Sequence, residues 1–228
     1  MLHYQRLLAW GLALLLPEAI LAQEKPSGIK VDRDRKAVII DAKIAPRKLA
    51  DPKFKGEIYP IEVIATWAYP KGQKAHETVV TIEVKPSEVH KALESLGGRA
   101  GKPVRGDTTD RPSGTEINIY LEIPSDTGSR KVSIDRLLID PRTGKTMPKV
   151  KWFFTGSVLS QPDPNKDEKV YGADLTGTLI AVFPVTNETV LQSSLSMKEE
   201  KYLKLETNKK LLPAEGTAVK LVLELDGK

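Results

Sequence analysis

The sequence contains no cysteine, and this absence excludes several classes of protein at once. Without thiols there is no disulfide framework, no thiol nucleophile, no thiolate metal site and no cysteine to carry a lipid anchor. Stability must come from the burial of apolar side chains, at roughly 25 cal/mol per Å² of apolar surface. The chain has 228 residues, enough for one domain with a substantial core.

Aromatic residues and concentrated charge of one sign are also scarce. Phe, Trp and Tyr make up 6% of the chain, and the net charge of +5 is spread over 35 basic and 30 acidic residues. Because the sequence has no basic block, we expect no nucleic-acid partner. A mixed surface of this kind attracts anionic envelope polymers or lipid headgroups only weakly.

The apolar run near the N-terminus, residues 7–16, is too short to cross a bilayer. It has ten residues, whereas a membrane span needs about 20. Arg6 precedes the run, Pro17 ends it, and the small Ala22 stands before a polar segment. This order is typical of a cleaved secretory signal peptide. We therefore predict a signal peptide at 1–22, export to the periplasm or the medium, and no transmembrane anchor after cleavage.

Alternation of apolar and polar residues dominates the rest of the chain. It is clearest at 117–123 and 219–225, where every second side chain is apolar and is expected to face a core. Residues 86–96 instead repeat apolar side chains at helical spacing, and 198–210 form a second, more polar candidate helix. We predict an α+β, strand-rich fold, in which one or two helices cover a mostly antiparallel sheet.

No linker or internal repeat divides the chain after the leader. We therefore predict three segments: the signal peptide at 1–22, a lead-in with the first hairpin at 23–53, and a single globular domain at 54–228.

One loop in the C-terminal half carries side chains at the spacing of a calcium-binding loop. Positions 1, 3, 5, 7, 9 and 12 are Asp163, Asn165, Asp167, Lys169, Tyr171 and Asp174. Alternating oxygen ligands can surround Ca²⁺, but Glu168 stands where the sharp turn requires glycine. A solvated hairpin loop fits this pattern better, and calcium-dependent adhesion through Asp163–Asp174 is kept as an alternative.

The candidate ligand site is a group of aromatic and titratable residues around one turn: Trp67, Tyr69, His76 and Glu77. An aromatic ring can stack on a sugar, and a histidine beside a carboxylate can act as general base or metal ligand. We interpret His76 and Glu77 as the start of a strand, so their side chains should point to opposite faces. With no serine elbow and no second paired histidine, we predict no metal and no cofactor, and the balance favours a protein that is not an enzyme.

Four segments, in this order, resemble the YdjY-domain proteins, exported bacterial proteins of uncharacterised function. They are His76-Glu77, Pro86–Leu93 with Leu96-Gly97, Trp152–Ser157, and Tyr171–Asp174 with Leu179-Ile180. The chain departs from the pattern at Ala100-Gly101, where Pro-Gly is expected. The resemblance implies export and a single α+β domain, and it supplies no catalytic residues.

Together these observations predict an exported domain that binds or scaffolds an envelope component, either a polymer or a protein. The alternative is a hydrolase or metal-dependent enzyme that uses His76 and Glu77, with Asp174 contributed from a distant strand.

Overall fold

A computed structural model describes residues 28–227. The predicted signal peptide and the first residues of the predicted lead-in lie outside this range. Within it, the chain forms fourteen strands and three short α-helices. The strands are β1 (Ile29–Asp32), β2 (Ala37–Ile44), β3 (Val63–Trp67), β4 (Thr78–Ile82), β5 (Thr115–Ser125), β6 (Gly128–Ser133), β7 (Leu138–Ile139), β8 (Trp152–Phe154), β9 (Leu159–Ser160), β10 (Val170–Tyr171), β11 (Thr178–Ala181), β12 (Leu191–Ser193), β13 (Glu206–Thr207) and β14 (Ala218–Leu225). The helices are α1 (Pro86–Ser95), α2 (Ala173–Thr176) and α3 (Met197–Tyr202), and there are 3-10 turns at Pro52–Phe54, Ala75–Glu77 and Ile134–Leu137.

Eight strands close into a barrel. Neighbours are hydrogen-bonded in the order β2, β14, β5, β8, β12, β11, β3 and β4, and β4 pairs back with β2. The β3–β4 and β11–β12 pairs are parallel, and the other pairs in the ring are antiparallel. One edge of β2 pairs with β14, and the other edge pairs with two strands in turn. On that second edge, Ala37–Ile40 pair with β1 and Ala42–Ile44 pair with β4. Closure therefore depends on a few residues at the end of β2.

The predicted α+β fold, in which one or two helices cover a mostly antiparallel sheet, is wrong. The sheet closes on itself, and the helices are short: α1 has ten residues, and the candidate helix at 198–210 is reduced to α3, which buries no residue. A period of two identifies the side chains that share a face, but not whether the first and last strands of the sheet meet. When they meet, the inward face is buried without a layer of helices.

The interior is built from rows of apolar side chains on neighbouring strands. Ile40, Leu221 and Leu121 are paired across β2, β14 and β5, and none of them is exposed to solvent. The strands predicted at 117–123 and 219–225 are confirmed as parts of β5 and β14. β2 belongs to the segment predicted as a lead-in, and its side chains share this one core with the rest of the barrel.

Helix α1 packs against β2 and α2. Its buried residues include Val89, Ala92 and Leu93, the apolar stripe seen in the sequence. Gly97 has a φ of +91°, a backbone conformation that favours glycine where a helix ends. Among residues 28–227, no helix has the length and apolar character that a membrane crossing requires.

Candidate functional site

The four residues predicted for a ligand site lie in two different environments. Trp67, at the end of β3, packs against the barrel core, and its indole Nε1 donates to the carbonyl of Val84 at 2.7 Å. A Cβ at Gly177 would lie 2.7 Å from the Trp67 ring, so only glycine allows this contact. Trp67 therefore packs on the core, while Tyr69 and His76 lie in a separate cluster, and Glu77 contacts that cluster through His76.

That cluster, called here the aromatic cluster, consists of Phe54, Tyr59, Tyr69 and His76. The centroid of Phe54 lies 5.8 Å from that of Tyr69 and 4.7 Å from that of His76, and the His76 and Tyr59 centroids are 5.0 Å apart. The Tyr69 and Tyr59 contacts are edge-to-face, an arrangement that aromatic pairs favour. Phe54 belongs to a small apolar cluster that is distinct from the barrel core.

A short 3-10 turn and one lysine define the outer side of the aromatic cluster. Asp51 begins the turn by accepting a hydrogen bond from the Lys53 amide at 2.9 Å, and the Tyr69 hydroxyl donates to the same carboxylate. The Lys53 Nζ lies 4.7 Å from the centroids of both Phe54 and Tyr69. Nearby in the chain, Ile58 is 46% exposed. This side of the aromatic cluster thus presents partly exposed tyrosine rings, a cation and a carboxylate.

His76 and Glu77 come together, contrary to the sequence-based interpretation. Because the strand begins only at Thr78, both residues lie in the 3-10 turn Ala75–Glu77. Their side chains are therefore not on opposite faces, and His76 Nε2 lies 3.1 Å from Glu77 Oε1. Alternation across a strand holds only inside the strand, and the boundary was misplaced by two residues.

Charges next to the aromatic cluster are shared among partly buried groups. Lys74 Nζ lies 2.8 Å from a carboxylate oxygen of Glu77 and 2.8 Å from one of Glu62. Burial raises the pKa of Glu62 above its usual value, because the paired Lys74 compensates only in part. For Lys74, burial opposes the charged form, but its bonds to the two carboxylates outweigh burial and raise its pKa.

His76 favours its neutral form. Burial lowers its pKa, and the positive charge of Lys74 lowers it further, although the negative charge of Glu62 acts in the opposite direction. Its Nδ1 is buried and has no hydrogen-bond partner in the described part of the chain. A neutral imidazole with a free ring nitrogen is chemically able to accept a proton.

Arg47 links the aromatic cluster to β13, and no sequence motif pointed to this residue. Its side chain is only 6% exposed, and its Nε donates to Glu206 at 2.7 Å. The same guanidinium donates to the backbone carbonyls of Tyr59 and His76. Burial alone raises the pKa of Glu206. The hydrogen bonds that its carboxylate accepts from Arg47 and Thr207 outweigh burial, so the pKa is lower than the usual value. Arg47 and Glu206 are 159 positions apart, so only the folded chain shows the pair.

The residues of the candidate calcium loop do not gather around a common point. The Asp174 carboxylate accepts hydrogen bonds from the Ser87 amide at 2.9 Å and the Ser87 hydroxyl at 2.5 Å. Tyr171 bonds to His90, and Asp163 accepts from the Asn165 amide within its own turn. Across residues 28–227, no three His, Asp or Glu side chains are grouped closely enough to hold a metal ion.

Three of the four segments that carried the family resemblance meet at one place, the seam between α1, the end of β8 and β10–α2. We call this place the α1 seam. His90 Nδ1 lies 2.7 Å from the Tyr171 hydroxyl, which also accepts a hydrogen bond from the Ser157 amide at 3.0 Å. Ser87 and Asp174 form the second link across the α1 seam, as described above. These hydrogen bonds attach α1 to the barrel. The residues that carried the family resemblance therefore have a structural role.

The structure is therefore that of an eight-stranded barrel protein with one helix, α1, bonded to the barrel at the α1 seam. The model of the YdjY domain matches residues 29–224, and the chain belongs to the YdjY-domain family. The match begins at β1 and ends in β14, so the family domain includes the β1–β2 hairpin. No curated protein and no solved structure matches the chain.

Proposed function

We propose that this protein is an exported domain that binds a saccharide of the bacterial cell envelope at the aromatic cluster. The observation that carries the proposal is the position of Tyr59 and Tyr69, partly exposed at the edge of a cluster outside the barrel core. Export rests on the predicted signal peptide. The YdjY-domain membership agrees with that destination through the resemblance described above.

The chemistry of the aromatic cluster suits a sugar. The C–H face of a sugar ring packs on an aromatic face, and its hydroxyls require donors and acceptors beside that face. Lys53 supplies a donor 4.7 Å from two ring centroids, and the Asp51 carboxylate supplies an acceptor next to Tyr69. The cation also favours a saccharide that carries carboxylates, such as the muramic acid of peptidoglycan.

The test is a titration of the protein with peptidoglycan disaccharides by calorimetry, in wild type and in Tyr69→Ala. Loss of the ring should weaken binding about tenfold, because a contact worth roughly 1.4 kcal/mol is removed. Lys53→Ala should weaken binding of the acidic disaccharide more than that of a neutral chitin disaccharide. Tyr202→Ala is the matched control, because Tyr202 lies on α3 and is 78% exposed.

The melting temperature of each variant separates loss of the site from loss of the fold. Lys53 is exposed, so Lys53→Ala should keep the wild-type melting temperature even if Tyr69→Ala does not. Wild-type affinity in both Tyr69→Ala and Lys53→Ala would exclude the aromatic cluster as the saccharide site.

A second candidate function, hydrolysis, is favoured by the 3.1 Å contact between His76 and Glu77. In this case His76 would act as general base through Nδ1, which is buried in this structure and would have to become accessible to water, and Glu77 would orient its ring through Nε2. Asp174 does not join them, because its carboxylate bonds to Ser87 in the α1 seam. Chromatography of the incubated disaccharides decides the matter: cleavage by wild type and none by a folded His76→Gln variant would establish the enzyme.

A further inference from the structure

Two segments together carry a net positive charge as large as that of the whole chain. Residues 136–149 and 197–210 contain nine basic and four acidic side chains, a net charge of +5. The whole chain has 35 basic and 30 acidic residues, so the remainder holds 26 of each. These two segments are called here the basic lobe.

The fold makes the basic lobe one continuous unit. β7 and β13 are antiparallel, with Ile139 opposite Glu206, and the Asn208 amide donates to the carbonyl of Leu137 at 2.8 Å. At the other end of this ladder, the Arg142 guanidinium donates to the carbonyl of Tyr202. Two stretches that lie about 60 positions apart in the chain are thereby held side by side.

The acidic side chains of the basic lobe already have partners. Asp140 pairs with Arg142 and Glu200 with Lys204, both at 2.5 Å, while Glu206 pairs with the buried Arg47. Glu199 accepts hydrogen bonds from Ser196 at the start of α3. Six exposed cations of the basic lobe form no ion pair with another described residue: Arg136, Lys145, Lys149, Lys198, Lys209 and Lys210.

An exposed tyrosine lies among these cations. Tyr202 ends α3, a helix without a buried residue, and is 78% exposed. A tyrosine with an apolar ring and a polar hydroxyl suits the headgroup level of a membrane, where such rings are enriched. The adjacent Lys201 has only a distant carboxylate, Asp107 at 3.9 Å.

We infer that the basic lobe docks the protein on an anionic lipid surface. The unpaired cations lie on a turn, on a loop and on a helix of two segments that the β7–β13 ladder holds side by side, and an extended anionic surface offers many partners to such a group at once. Each lysine near an anionic membrane adds attraction, and Tyr202 adds the interfacial anchor that a soluble polyanion would not use. The inference does not depend on the saccharide site, which involves other residues.

The experiment is co-sedimentation with vesicles of phosphatidylcholine alone and of phosphatidylcholine with phosphatidylglycerol. All variants carry the same N-terminus, so that an apolar leader contributes equally to each. Wild type should bind only the anionic vesicles, and binding should disappear in about 1 M salt, where the Debye length is about 3 Å. Lys209→Glu with Lys210→Glu should weaken binding at least about tenfold. Lys30→Glu with Lys91→Glu, a pair of exposed lysines outside the basic lobe, is the matched control.

Tyr202→Ala distinguishes a lipid surface from a soluble polyanion. It should weaken vesicle binding and leave binding to dextran sulfate unchanged. Equal binding to neutral vesicles, equal losses in the two lysine pairs, or binding to dextran sulfate without binding to anionic vesicles would each overturn the inference. Because the saccharide titration uses no membrane, its result cannot be confused with this one.

Discussion

His76 is a partly buried histidine that combines three properties. Its ring packs against Phe54 and Tyr59, its Nε2 faces Glu77, and its buried Nδ1 has no partner among the described residues. Charging this ring would place a second positive charge beside Lys74 in a partly buried position. The folded protein therefore favours the neutral imidazole, whatever role the aromatic cluster performs.

The lowered pKa of His76 predicts how its contribution to stability depends on pH. The ordinary pKa of histidine is about 6.5. Below this pH, His76 binds a proton in the unfolded chain more readily than in the folded protein, where its pKa is lower. Its contribution to the free energy of unfolding is therefore complete above pH 6.5 and is lost as the pH falls towards the folded pKa. Urea unfolding of His76→Gln between pH 7 and pH 5 should show a flatter dependence than wild type.

His90→Gln is the control for this experiment, because His90 is the other histidine of the described chain. If the two variants flatten the pH dependence of the free energy of unfolding equally, or if neither changes it, protonation of His76 is not the cause of that pH dependence.

At the scale of elements, the α1 seam explains how a ten-residue helix is held on a barrel. The apolar stripe of α1 was predictable from spacing, since Val89, Ala92 and Leu93 follow a helical repeat. The polar bonds of the α1 seam were not, because Ser87 and Asp174 are 87 positions apart. The Ser87 hydroxyl, in the first turn of α1, donates to Asp174.

Removing the Tyr171 hydroxyl should loosen the α1 seam. Tyr171→Phe takes away the partner of both His90 Nδ1 and the Ser157 amide, and leaves these groups unsatisfied. We expect a loss of about 1–3 kcal/mol in the free energy of unfolding, measured by urea denaturation. Tyr120→Phe is the matched control, because Tyr120 lies outside the α1 seam, under Lys131 Nζ at 4.0 Å. Equal losses in both variants would contradict a specific role for the α1 seam.

At the scale of the whole molecule, the barrel depends on β2. One edge of β2 pairs with β14 and part of the other pairs with β4, which closes the ring. The sequence-based division at residue 53 placed β2 outside the globular domain, and this division predicts that a chain starting at residue 54 folds on its own. The closed barrel predicts the opposite, because β14 and β4 would each expose an unpaired edge.

A chain of residues 54–228 should therefore lack a cooperative thermal transition and should bind a dye for exposed apolar surface. A chain of residues 28–228 keeps β1 and β2 and should melt cooperatively. Circular dichroism and calorimetry of the two chains make the comparison. A cooperative transition in the shorter chain would show that β2 is dispensable.

The aromatic cluster shows how far a candidate site can be predicted. Tyr69, His76 and Glu77 were identified from the sequence because they lie near one another along the chain. Trp67 was grouped with them for the same reason, yet its partly buried ring packs against the barrel core, where Gly177 gives it room. Phe54 and Arg47 were missed, because their contacts with the cluster come from loops that only folding brings near.

By itself, the sequence determined which residues face a core, where α1 lies, that no disulfide contributes, and that the chain belongs with the YdjY-domain proteins. These properties depend on periodicity, composition and the order of short segments, all of which are local. Only the tertiary structure decided that the sheet closes, that His76 meets Glu77, and that two basic segments form one basic lobe. Closure and the basic lobe depend on contacts between distant segments, and the free energy of such contacts depends on the whole packed barrel. The contact of His76 with Glu77 depends on the point at which the 3-10 turn ends and β4 begins, which the local sequence pattern did not identify.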